Sequence, residues 1–100
     1  TPGTVSTQHY RVARDVRSGA LSARQGHQQV SATVRSFAET VGPLPASSMT
    51  LEGLRPVGPA PLTELLDLLY EPAFAGDEAR AAQCFDATLE RAREVVSSWT

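Results

Sequence analysis

Between Thr7 and Val41, apolar and small residues recur every seven positions in three adjoining rows. One row holds His9, Val16, Ala23, Val30 and Phe37. The second holds Val12, Gly19, Gly26, Thr33 and Thr40, and the third Ala13, Ala20, His27, Val34 and Val41. Residues seven apart lie nearly above one another on a helix, so three neighbouring rows make one side of it. Gln8, Arg11, Arg14, Asp15, Arg17, Arg24, Gln28, Arg35 and Glu39 fall outside the rows and suit water. The pattern predicts a helix over 7–41, with the hydroxyl of Ser6 or Thr7 as its N-cap. One place in it is weak: Gly19 is a poor helix former, and Ser22 with Gln25 spells a capping box, S-x-x-Q. The rows keep their phase across that point, so one continuous helix is the expectation. Such a rod would be about 52 Å long, whereas a compact domain of this size has a radius of gyration near 13 Å. Its apolar side would outrun the rest of the chain, which predicts a second copy lying against it.

The segment Val41-Gly42-Pro43-Leu44-Pro45 ends the helix, because Gly42 can take a left-handed cap and Pro43 cannot continue. Residues 42–60 read as a Pro-rich connector with one short helical turn near Ser48–Leu54. Leu44, Met49, Leu51, Leu54 and Val57 make it apolar enough to lie along the bundle. Pro61 suits the first turn of a Leu-rich helix over 61–71, stopped by Glu71-Pro72. Leu62-Thr63-Glu64-Leu65-Leu66 matches the LxxLL pattern of groove-docking helices, although core packing explains the leucines as well. Asp77 is a strong N-cap for a last helix over 77–98, whose rows are Phe85, Ala92, Trp99, then Ala81, Thr88, Val95, then Ala82, Leu89, Val96. Matching apolar sides predict that the first and last helices lie antiparallel. The fold class is all-α: a small helical bundle forming one domain, 1–100, with a long N-terminal helix, a Pro-rich crossover and two shorter C-terminal helices, paired as a homodimer.

Size supports that expectation, since a chain of one hundred residues buries only a little over 60% of its unfolded surface. With six aromatic residues, the core must be built from Ala, Val and Leu. The net charge of −2 is unevenly divided. Residues 1–47 carry five Arg against Asp15 and Glu39, or +3, and residues 48–100 carry four Arg against nine acids, or −5. The basic half is expected beside the acidic half, and no nucleic acid is implied. Nine Arg without a Lys, fourteen Ala, and no Ile or Asn suggest a GC-rich bacterial genome such as an actinobacterial one. No apolar run reaches the roughly 18 residues of a membrane span, and the N-terminus lacks a signal-peptide pattern, so a cytoplasmic protein without a membrane partner is expected.

Candidate chemistry is sparse. Gly19 and Gly26 sit within a helical pattern, where they form no phosphate loop. Cys84 is the sole cysteine and reads as a small core residue. Glu64, Asp67 and Glu71 share a face that reads as solvated. His9 and His27 stand about 27 Å apart along one helix. In two antiparallel copies crossing near residue 18 they would face each other, able to hold a metal or to respond to pH. The plainer reading makes each a rim residue with its own hydrogen bond. No catalytic residue, metal or cofactor is expected.

These features imply a non-catalytic interaction or dimerisation module, a docking or assembly domain of a larger bacterial system, whose partners are a second copy and another protein. Its expected interface is His9, Val12, Val16, Gly19, Ala20, Ala23, His27, Val30, Val34 and Phe37. The order of dimerising helix, Pro-rich connector and docking helix is similar to that of docking domains in modular biosynthetic enzymes. Helical-hairpin secretion substrates of this length carry a W-x-G turn, which Val41–Ser48 lacks. The alternative is a helical ligand-binding or regulatory protein with an apolar pocket lined by Leu65, Leu69, Phe85 and Trp99.

Overall fold

The computed structural model describes residues 2–42, 45–70 and 77–98, except the side chains of 2–6 and 41. The N-terminal pattern folds as two helices: α1, Pro2–Ser18, and α2, Ala23–Val41. Gly19 between them takes φ +85°, a region that penalises side chains bearing a Cβ. The Gly19 amide donates to the Val16 carbonyl at 3.2 Å and the Leu21 amide to that of Asp15 at 3.0 Å, closing α1. Ser22 then restarts the helix. Its Oγ accepts from the Gln25 amide at 3.0 Å, while the Gln25 side chain accepts from the Ser22 amide at 2.9 Å. The expected rod over 7–41 is therefore corrected to a hairpin. Glycine and capping box each favour a break by about 1 kcal/mol, and doubling back lets one chain bury both apolar faces. The helix also starts earlier than Ser6 or Thr7, with Pro2 at the first helical position, where its missing N–H costs nothing.

The hairpin closes tightly at Gly26. A Cβ built there would stand 2.6 Å from Val16 Cγ2 and 2.8 Å from Phe85 Cε1, so α1, α2 and the last helix meet where one residue has no side chain. At the far end of α2, Gly42 is extended (φ −139°) rather than left-handed, and its amide donates to the Ala38 carbonyl at 3.0 Å.

The connector is ordered by α2. A 3₁₀ turn, Ala46–Ser48, and the short α3, Leu51–Leu54, bury Ala46 and Leu54 in the core. The Arg35 guanidinium donates to the carbonyls of Ala46 and Met49, and Glu39 accepts from the Ser47 amide at 2.7 Å. The Thr50 hydroxyl caps α3 through the Gly53 amide at 3.0 Å. Helix α4, Ala60–Tyr70, buries Leu62, Leu65, Leu66 and Leu69, so the leucines of the LxxLL sequence face inward. Pro43, Leu44 and the expected stop at Glu71–Pro72 lie outside the described residues.

Helix α5, Glu78–Ser98, is capped by Asp77, whose carboxylate accepts from the Arg80 amide at 2.8 Å. It buries Ala81, Phe85, Thr88, Leu89, Ala92, Val95 and Val96; Ala82, expected inside, is exposed. Its direction differs against the two N-terminal helices. Glu78 meets Ala23, Thr88 meets His27 and Val96 meets Phe37, so α5 runs parallel to α2. α1, reversed by the hairpin, runs against α5 in the expected antiparallel sense, and its Arg17 pairs with Asp86 at 3.6 Å. The radius of gyration is 12.7 Å, close to the ~13 Å of a closed domain of this length. Among the described residues there is no strand, and no helix is long and apolar enough to cross a membrane.

Candidate functional site

The densest polar chemistry lies where the start of α2 faces the start of α5. Helix α2 begins with unpaired amides that need acceptors. The capping box serves one of them, and Glu78 of α5 serves two more, its Oε2 accepting from the Ala23 amide at 2.7 Å and its Oε1 from the Arg24 amide at 3.1 Å. Those two amides, Ala23 first, hold the Glu78 carboxyl below its ordinary range, with the Ser22 side chain and His27 adding to the effect.

One turn inside, His27 is fully buried. Its Nδ1 lies 2.8 Å from the Ala23 carbonyl, which can only accept, so Nδ1 carries the proton. Nε2 then presents its lone pair to the Thr88 hydroxyl at 2.8 Å. That hydroxyl also lies 3.0 Å from the Phe85 carbonyl. If Nε2 gained a proton, it would donate to Thr88, whose own proton would turn to Phe85, and both charge states would be satisfied. Burial lowers the His27 pKa, against the raising effects of the Ala23 hydrogen bond and the Glu78 charge. The Phe85 ring meets the imidazole edge-on, at 5.2 Å and 87°.

Cys84, half-buried, places Sγ 3.7 Å from His27 Nε2, and its thiol donates to the Ala81 carbonyl at 3.6 Å. A histidine beside a cysteine is the arrangement of an activated nucleophile. Here Thr88 takes the Nε2 lone pair from closer range and the thiol proton points to a carbonyl, so the geometry is that of a satisfied structural histidine.

His9 is the opposite case. It is 1% exposed, and among the described residues neither of its ring nitrogens has a hydrogen-bond partner. Burial, with a smaller contribution from the Arg93 charge, pushes its pKa down to about 4. His9 lies by Arg93 and His27 by Cys84 and Thr88, more than a turn apart along α5, so the two imidazoles do not meet. Among the described residues no three His, Cys, Asp or Glu side chains gather as for a metal ion. Asp67 pairs with Arg55 at 2.9 Å and Glu64 is exposed, while Glu71 lies outside the described residues.

The expected interface residues are placed mainly inside the chain. His9, Val12, Ala23, His27, Val30, Val34 and Phe37 are buried, and Val16 packs on the core. Only Gly19 and Ala20 are exposed, at the turn. The surface expected to receive a second copy is filled by the chain's own helices. Of the expected pocket, Leu65, Leu69 and Phe85 belong to one buried cluster at 1–3% exposure; Trp99 lies outside the described residues. Sequence reasoning missed the cap from Glu78, the Thr88–His27 bond and the Arg35 clamp. The first two join residues more than fifty positions apart, and no local pattern signals them.

No protein-family model, curated protein or solved structure matches this chain.

Proposed function

We propose that the chain is a non-catalytic helical module for protein association, a docking or assembly element whose working part is the slot between α2 and α5 that α1 occupies. The observation that carries this reading is the unpartnered imidazole of His9 in that slot. An unsatisfied buried polar group costs about 1–3 kcal/mol, so α1 is held less firmly than its apolar face alone implies. Elements that exchange partners are drawn from such weakly held parts of a fold. Three other polar side chains that join separate segments serve the architecture. Glu78 caps α2, Arg35 holds the connector, and His27 is satisfied by Ala23 and Thr88.

The test uses the full chain with α1 undocked. Val12 is 4% exposed on α1, and Val12→Glu places a charge in the slot. The variant should bind a labelled peptide spanning residues 2–18 in trans at micromolar concentration by fluorescence anisotropy. Absence of binding, in a variant whose circular dichroism shows the other helices intact, would remove the reading.

A further inference from the structure

We infer that the partner this module accepts is a second copy of itself, through exchange of α1 with the Gly19–Ser22 turn straightened into helix; this rests on the association reading above. The argument starts from the register of the hairpin. Val16 lies against Gly26, so α1 and α2 pair residues whose numbers add to about 42. Two straight helices over 2–41, antiparallel and crossing near residue 21, make the same pairs, with Val16 of each copy on Gly26 of the other. The seven-residue rows keep their phase through the turn. Straightening it therefore carries the apolar side of α1 onto a line with that of α2, and each α1 reaches the slot of the opposite copy with its packing unchanged. Exchange of an identical element between protomers is a low-cost route to a dimer, because the contacts are those of the closed chain.

What differs between the two forms is confined to the turn. Opening gives up the Ser22–Gln25 capping box and the bonds from the Ala23 and Arg24 amides to Glu78. In return those amides gain the carbonyls of Gly19 and Ala20 one turn earlier, and Gly19 leaves its positive φ. Gly19 and Ala20 are exposed, and a Cβ at Gly19 would meet nothing within 4 Å, so the crossing point is free of bulk. The turn residues alone set the balance between one chain closed on itself and two chains closed on each other.

Substitutions at the turn test this. Alanine at position 19 is strained in the closed form and favoured in a helix, so Gly19→Ala should tighten dimerisation by roughly a hundredfold or more. Ser22→Ala with Gln25→Ala, which removes the capping box and the hydrogen bond of the Ser22 side chain with Glu78, should act in the same direction. Three glycines inserted after Ala20 should leave the chain monomeric by light scattering. Exchange is then read directly. Arg17 and Asp86 are exposed and ion-paired between α1 and α5. With Arg17→Cys, Asp86→Cys and Cys84→Ser, a short dimaleimide should link the dimer fraction into a covalent dimer on a denaturing gel. Strictly monomeric turn variants, or dimers whose cross-links stay within one chain, would overturn the inference. Peptide binding by the Val12→Glu chain would persist in that event, leaving the association reading intact with a different partner.

Discussion

His9 and His27 are both buried imidazoles on the N-terminal hairpin, and their surroundings separate them. His27 has an acceptor for one nitrogen and a hydroxyl that can serve the other in either charge state, whereas His9 has neither. A histidine whose folded pKa lies below its unfolded value binds its proton first in the unfolded chain. Stability is therefore full above the unfolded value of 6.5 and falls as the pH drops from there toward about 4, where the folded state is protonated too. For His9 this window corresponds to a loss of up to about 3 kcal/mol. His27 contributes in the same direction. His9→Leu removes the unpartnered group while keeping the bulk, and should stabilise the fold at pH 7 by about 1–2 kcal/mol. It should also flatten the fall between pH 7 and pH 5, leaving the part that belongs to His27. Urea unfolding at the two pH values measures both, and an undiminished fall in the variant would assign the titration elsewhere.

At the scale of elements, the connector is the least regular part of the fold and depends on one side chain from α2. Arg35 supplies a charged donor to the carbonyls of Ala46, which also accepts from the Met49 amide at 3.3 Å, and of Met49, and its own burial lowers its pKa. Arg35→Met keeps much of the aliphatic stem and removes the donors, so it should cost about 2 kcal/mol. Amide hydrogen exchange should then rise first over residues 46–54; uniform loss of protection across the chain would mean the clamp is not local. Element positions were largely legible in the sequence: Asp77 as a cap, the Leu-rich helix near Pro61, the short turn before Leu54. The break at Gly19 was legible too, in the Ser22–Gln25 box, but the unbroken phase of the rows argued the other way. A periodic pattern records which side is apolar and says nothing of whether that side meets its own chain or another. The direction of α5 and the cap from Glu78 depend on contacts made across the crossover, and local periodicity holds no trace of them.

For the molecule as a whole, doubling back changes what the apolar rows are for. Val30, at 1% exposure, is part of the core rather than of an open seam. Val30→Glu should cost more than about 4 kcal/mol and abolish folding outright, instead of releasing a folded monomer. Circular dichroism distinguishes the two, and a folded variant would return Val30 to the surface. The crossover that carries the chain from the end of α2 back to the start of α5 has a further electrostatic consequence. Parallel neighbours align their peptide dipoles, bringing two partly positive N-terminal ends together at one pole of the molecule. Glu78 stands at that pole in the first turn of its own helix and on the amides of the adjacent one. Glu78 thus acts on the field of both axes, with the Asp77 carboxylate beside it on the amides of α5, and the parallel arrangement is tolerable where it would otherwise repel.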